Sequence, residues 1–334
     1  MTQERNDIRL ALPSKGRLAD DALMLLADAG LRVYKPNPRQ YMATMPRLPD
    51  VTVVFQRPGD IVVSVRDGSV DFGITGRDVI EEQRGENGQV LILYDRLGFG
   101  SCSLNVIVPE NLTAVRTMAD LPLYQNQLGR PLRVATKFPE LTAQFFGRHG
   151  LPDIQLISAE GTLEIAPSIG YADLIVDLVS TGTTLRDNRL RMVDDGLILR
   201  SEACLIANRA ELRERPQVLA IARQLLEFIV AYLRAAENVA IFANIRGGDP
   251  QLLADRIFSQ QVIGGLQGPT ISPVITRDGG EWHAINIIVR KDQLATAIQE
   301  LREIGGSGVI VSPVSFIFEE EPPAYLEMLQ ALEG

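Results

Sequence analysis

The strongest constraint on how this chain folds is that one pattern occurs twice. From Ile8 to Leu31 the residues read IRLALPSKGRLADDALMLLADAGL. A short apolar strand turns at Pro13-Ser14-Lys15-Gly16 and continues as an amphipathic helix. Leu18, Ala22, Leu25, Leu26 and Ala29 share one face of that helix, which ends at Gly30. From Leu132 to Leu151, LRVATKFPELTAQFFGRHGL again gives a strand, a polar turn with a lysine, a helix and a terminal glycine. A second echo links GSVDFGIT from Gly68 to GYADLIVD from Gly170. In each, a helix end at glycine leads through an aspartate into a short strand. Wholly apolar strands alternating with helices belong to parallel sheets. The first two-thirds of the chain therefore reads as two similar α/β lobes, whose loops at the strand C-terminal ends face a ligand cleft. Lys15-Gly16, Thr75-Gly76 and the stretch from Asp177 to Leu185 all sit at such ends.

Composition narrows the class. The 334 residues are 46% hydrophobic and 22% charged, which predicts a sizeable buried core and two or three domains. A net charge of -9 argues against a nucleic-acid or anionic-membrane surface, so neither partner is expected. Two cysteines, Cys102 and Cys204, fit a reducing compartment and offer no zinc spacing. The opening MTQERNDIRL is polar and resembles no signal peptide, and charges interrupt every apolar run; a soluble cytoplasmic protein is expected. His149 and His283 stand alone and read as structural.

After Arg209 the texture changes. Residues 216–239 read as a long connecting helix. Beyond it come a strand at Ile241–Asn244, a helix begun by Asp249-Pro250, the strands TISPVIT and WHAINIIVR around an Asp278-Gly279-Gly280 turn, the helix QLATAIQELREIG and the strand SGVIVSPVSFIF. The order βαββαβ is ferredoxin-like and predicts a separate domain over 240–318. Residues 319–334 form an acidic tail. The two lobes are expected at 1–100, completed by 190–215, and at 101–189.

DLVSTGTTL, from Asp177 to Leu185, places an acid, a glycine and four hydroxyls directly after an apolar strand. Such a loop can present N–H and O–H donors to a phosphate; it can equally be a polar turn that caps a helix. Five stretches settle the comparison: LALPSKGRL (10–18), FQRPGDI (55–61), DFGITGRDVIEE (71–82), RVATKFP (133–139) and GTLEIAPSIGYADLIVDLVSTGTTL (161–185). With them the chain closely resembles the long-form ATP phosphoribosyltransferase family over about residues 8 to 318.

The resemblance implies a two-lobed core like the type II periplasmic binding proteins and a C-terminal ferredoxin-like regulatory domain. It implies transfer of the 5-phosphoribosyl group of phosphoribosyl pyrophosphate (PRPP) to N1 of ATP, with Mg²⁺ held mainly by PRPP and with no dedicated protein ligands identified. On this reading Ser180, Thr181, Gly182, Thr183 and Thr184 hold the 5-phosphate, and Asp177 accepts the ribose hydroxyls. Lys15, Gly16, Arg17, Arg57, Gly76 and Arg77 serve the polyanionic substrates, with Asp71 in the same substrate set. Phe138, where the family often has tyrosine, would stack on adenine. Glu164, with Asp177 and Lys15, would carry the chemistry by stabilising positive charge at the ribose C1. In GLQGPTISPV, Leu266, Gly268 and Thr270, with Ile288 and Gly308, would bind L-histidine as a feedback inhibitor. The family's commoner ESPT is QGPT here, and Asp249 is a nearby acid that can substitute. A homo-oligomer, dimer and hexamer, is implied. The alternative is a bilobal small-molecule binding protein without catalysis.

Overall fold

The computed structural model describes residues 7–37, 39–158, 163–277 and 279–333. Gly161 and Thr162 of the signature stretch, and Asp278 of the expected hairpin turn, lie outside them. The chain divides into two compact units, the second made of Gln224–Leu326 with Asp28–Gly30 and the first of the remainder.

The first unit holds both lobes. In lobe I, β1 (Ile8–Pro13), α1 (Arg17–Asp28), β2 (Met42–Thr44), β3 (Val51–Gln56), α2 (Pro58–Arg66), β4 (Phe72–Gly76), α3 (Arg77–Gln83) and β5 (Val90–Tyr94) follow in order. Lobe II then runs through β6 (Cys102–Pro109), α4 (Leu121–Leu128), β7 (Leu132–Thr136), α5 (Pro139–Arg148), β8 (Ile154–Ser158), β9 (Leu174–Val179), α6 (Thr183–Asp187) and β10 (Leu190–Ser201). The chain returns to lobe I with β11 (Ala203–Asn208) and α7 (Arg209–Glu214). The sheet orders are β2-β3-β1-β4-β11-β5 and β10-β6-β9-β7-β8.

The repeat is real at the level of hydrogen bonds. β1 lies parallel between β3 and β4, as β7 does between β8 and β9. An antiparallel strand that has crossed from the other part of the chain follows β4 and β9, namely β11 and β6. The central strands are buried on both faces, as their apolar runs require; Leu10, Leu12, Val134 and Val176 have no exposed surface. One expectation is corrected. Residues 190–201 do not complete lobe I: β10 pairs antiparallel with β6 in lobe II, and only β11 and α7 return to lobe I. β10 is an edge strand whose register against β6 shifts twice, so its buried positions, Leu190, Val193, Gly196 and Ser201, keep no two-residue period, and the repeat did not reveal it.

The helix α8 (Pro216–Ala236) begins in the first unit and ends in the second. The second unit continues as β12 (Asn238–Arg246), α9 (Pro250–Phe258), β13 (Thr270–Val274), β14 (Trp282–Arg290), α10 (Leu294–Glu303) and β15 (Gly306–Pro313). Its antiparallel sheet, β13-β14-β12-β15, has the ferredoxin-like βαββαβ order. Ile241, Ile245, Ile285 and Ile287 pack with Leu253 and Ile257 of α9 and Ala297 and Leu301 of α10. The last strand stops at Pro313; Phe316 and Phe318 instead stack on each other and meet Phe228 edge-on. The acidic tail contains a helix, α11 (Pro323–Glu333), which from Glu327 onward belongs with the first unit. There Arg209 and Arg213 donate to the carbonyls of Ala331 and Leu332, the orphan acceptors of a helix C-terminus.

Candidate active site

The strand C-terminal ends of both lobes carry the predicted residues. Lys15, Gly16 and Arg17 join β1 to α1, Arg57 joins β3 to α2, and Gly76 and Arg77 join β4 to α3. In lobe II, Lys137 and Phe138 follow β7, Glu164 lies in a 3-10 turn at Leu163–Ile165, and Asp177 to Thr184 spans the end of β9 and the start of α6. Thr136 pairs with Val176, so Lys137 and Asp177 leave adjacent strands side by side.

Around Asp177 the electrostatics are concentrated. Burial pushes its carboxyl above the usual carboxylate range, nearby Glu164 adds to the rise, and Lys137 and the Leu178 N–H oppose it. The Leu178 N–H donates to Asp177 Oδ1 at 2.8 Å. Across the sheet Asp177 pairs with Asn105, a buried polar residue missed from sequence, whose amide donates to Ser103 O and Oγ. The next residues are exposed donors. The hydroxyls of Thr181 and Thr183 lie 3.2 Å apart, and Arg186 approaches Thr183 Oγ1 at 3.4 Å. Gly182 has φ +72, with nothing within 4 Å of where a Cβ would stand. Glycine serves this left-handed turn and leaves open space over the N–H groups that begin α6.

The cations fall into two groups. Lys15, Arg57 and Lys137 are exposed and make no ion pair among the described residues. Arg17 lies 3.5 Å from Asp21, and Arg77 is held by Glu81 at 3.1 Å and Asp95 at 3.6 Å. A Cβ on Gly76 would strike Asp78 Oδ1, so this glycine serves the folded-back carboxylate beside it. Asp78 is 5% exposed, and burial raises its proton affinity. Its carboxylate accepts from Ser201 Oγ at 2.5 Å, while its own N–H donates to that oxygen at 3.0 Å. Asp78 and Ser201 lie 123 positions apart, which is why neither was found from the sequence.

Two expectations are overturned. Asp71 does not face the substrate side: it sits at the opposite, N-terminal end of β4 with no exposed surface. It accepts from the Arg9 N–H at 2.7 Å and from Arg215 at 2.9 Å. Asp173 at the head of β9 makes the matching bonds to the Arg133 N–H at 2.9 Å and to Arg130 and Arg133 side chains. Burial works against the charge of Asp173, but the two guanidiniums hold its carboxyl well below the usual range. Both acids lock strand entries. Phe138, in turn, is 7% exposed and packs into the lobe II core with Phe145 and Phe146, so its ring is not presented for stacking on adenine. The Thr136 hydroxyl fixes this turn by accepting from the Phe138 N–H at 2.9 Å.

In the second unit, side chains of β14 alternate between the helices and an open face. Asn286 and Ile288 take the open face, and Thr270 pairs with Asn286. Gly308 lies at the bulge between β12 and β15, where a Cβ would stand 3.9 Å from Asn244 Nδ2. Leu266 is exposed, and Gly268 has φ +99. Asp249 caps α9, with Oδ1 accepting from the Gln251 N–H at 2.8 Å. The His149 ring lies 4.4 Å from that of Phe145 at a tilt of 33°, and His283 is 7% exposed.

Paired α/β lobes with hydroxyl donors, free cations and carboxylates at the strand ends define a two-lobed enzyme for phosphorylated substrates. The chain belongs to the ATP phosphoribosyltransferase family: the family model "HisG: ATP phosphoribosyltransferase" matches residues 57–229, and "HisG, C-terminal domain" matches 235–315. It is 43% identical to "ATP phosphoribosyltransferase 2, chloroplastic" of Arabidopsis thaliana, over 98% of this chain and 81% of that protein. It is 35% identical to the ATP phosphoribosyltransferase of Nitrobacter hamburgensis, over 96% of each. A solved structure of the HisG:HisZ ATP phosphoribosyl transferase complex from Thermotoga maritima shares the fold, with a TM-score of 0.53 at 24% identity, covering 67% of this chain and 98% of that one.

Proposed function

We propose that this chain transfers the 5-phosphoribosyl group of PRPP to N1 of ATP and releases pyrophosphate, the first step of histidine biosynthesis. The observation that carries the reading is the Asp177–Thr184 segment, where a half-buried carboxylate adjoins a left-handed glycine and exposed hydroxyls. Ser180, Thr181, Thr183, Thr184 and the N–H groups after Gly182 donate to the 5-phosphate. Asp177 accepts hydrogen bonds from the ribose hydroxyls. The bond from C1 to pyrophosphate breaks as the bond from adenine N1 forms, and Asp177 and Glu164 stabilise the positive charge gathering on the ribose. Lys15, Arg57 and Lys137 offset the phosphate charges that an acidic protein would otherwise repel.

Mg²⁺ enters this reading with PRPP and neutralises the leaving pyrophosphate when bound. Among the described residues no three His, Cys, Asp or Glu side chains converge as metal ligands. The pyrophosphate oxygens of PRPP would therefore hold the ion in the main, which leaves Asp177 and Glu164 to the ribose. L-histidine is assigned as feedback inhibitor at the open face that carries Thr270, Ile288 and Gly308. We assign a homo-oligomer and the cytoplasm; no helix among the described residues is long and apolar enough to cross a membrane.

The test is direct. Incubation with ATP, PRPP and Mg²⁺ should yield phosphoribosyl-ATP and pyrophosphate. Saturable PRPP binding without product would instead support the non-catalytic bilobal binding protein.

A further inference from the structure

The chain passes between the lobes twice, through residues 95–101 and again at Glu202 between β10 and β11. These two passages are tied to each other: the Gly98 N–H donates to Glu202 Oε1 at 2.7 Å, and the Ala203 N–H to Phe99 O at 3.0 Å. The N-terminus of α3 is tied to the same place. The Arg77 N–H donates to Glu202 O at 2.9 Å, and Asp78 exchanges two hydrogen bonds with Ser201. One helical turn beyond Asp78, about 6 Å along the axis, stands Glu82. Its two carboxylate oxygens accept from the Glu140 N–H at 2.9 Å and the Leu141 N–H at 3.0 Å. These are orphan donors of the first turn of α5, in the other lobe. A lobe I carboxylate thus caps a lobe II helix, where the family of caps normally comes from the helix's own preceding residue; Phe138 at that position has no side-chain acceptor.

Both helices joined by Glu82 begin beside candidate substrate cations: α3 at Arg77, and α5 two residues after Lys137. We propose that Glu82 is a positioning residue, an interlobe clamp that sets the separation between the Arg77 end of lobe I and the Lys137 turn of lobe II. The proposal rests on the transferase reading for its effect on rate, but the clamp itself is a structural statement. A carboxylate accepts both N–H groups at once. A glutamine of the same size can accept one and must turn its NH₂ on the other, so Glu82→Gln releases the clamp without opening a cavity. A carboxylate partly taken out of water is also at a cost, since burial raises the proton affinity of Glu82 while the two N–H groups and nearby Glu140 pull in opposite directions.

The experiment uses the full chain as wild type, Glu82→Gln and Glu82→Asp. Amide hydrogen exchange is read at residues 140–142, and steady-state kinetics with ATP, PRPP and Mg²⁺ are run alongside thermal melting. In Glu82→Gln, exchange at Glu140 and Leu141 should rise at least about tenfold, with melting little changed. The rate kcat should fall roughly 10- to 100-fold, as for misplaced reacting groups, with a smaller change in either KM; Glu82→Asp should recover part of both effects. Unchanged exchange at 140–142 overturns the clamp. Raised exchange with an unaltered kcat overturns its positioning role. Should wild type form no phosphoribosyl-ATP at all, the transferase reading fails by itself, and the exchange result alone then keeps or overturns the clamp.

Discussion

Asp177→Asn preserves volume and removes the charge that the transferase reading sets beside the reacting carbon. The expected loss is about 2–4 kcal/mol of transition-state stabilisation, as for other key electrostatic contacts. It is checked by kcat/KM, and near-normal turnover would take Asp177 out of the site. Because burial raises its proton affinity, the acid limb of the wild-type pH–rate profile should lie above the ordinary aspartate value of about 3.9 and should vanish in the asparagine variant. Thr183→Val exchanges a hydroxyl for a methyl at nearly constant shape. The KM for PRPP should rise by about five- to tenfold, the size of one lost hydrogen bond to a charged group, while that for ATP holds. Equal effects on both substrates would count against a 5-phosphate role.

Strands and helices account for the two residues that changed roles. An aspartate at a strand entrance looks the same in sequence whether it faces a substrate or clamps its neighbours. Asp71 and Asp173 clamp: each accepts the N–H of the first arginine-bearing position in the adjacent strand, Arg9 or Arg133, and each is paired with a guanidinium. Asp173→Asn should therefore lower stability at pH 7 by about 1–3 kcal/mol, the cost of breaking hydrogen bonds to charged partners. The folded carboxyl titrates below the unfolded one, so its contribution is present above the unfolded value and is lost as pH falls through the folded value. Urea titrations of wild type and variant should differ fully at pH 7, with the gap starting to narrow only below the ordinary aspartate value of about 3.9 and continuing to narrow as the pH falls further. A constant gap across that range would show that the charge is not what matters. Phe138 carries the same lesson at a helix start: one residue past an exposed lysine, its ring turns inward to the core.

At the scale of the molecule, the residues assigned to chemistry and to regulation lie in separate units. A ligand in the second unit can slow catalysis only by binding one state of the molecule better than another. Thr270→Ala should weaken inhibition by histidine, raising its half-inhibiting concentration roughly tenfold, with uninhibited turnover nearly intact. Titration of wild type and variant, with activity and direct binding measured together, checks this. A wild type that neither binds histidine nor slows in its presence would leave the QGPT face to assembly or to another ligand.

Period and punctuation carried most of the architecture. Largely apolar strands of five or six residues, helices with a 3.6-residue stripe and glycine stops are local signals, and they placed both lobes, the long helix and the βαββαβ order. The Asp177–Thr184 loop was equally legible, because its donors and its glycine are neighbours along the chain. Bonds between distant residues were not. Arg215 on Asp71, Ser201 on Asp78 and Glu82 on the first turn of α5 join positions 144, 123 and 58 residues apart. Nothing in the local pattern distinguishes such an acid from one exposed to solvent. Nor does alternation say which sheet an edge strand such as β10 will join, since any open edge offers the same N–H and C=O groups. Those choices are made by packing, where burying a carboxylate requires that a donor be found somewhere in the folded chain.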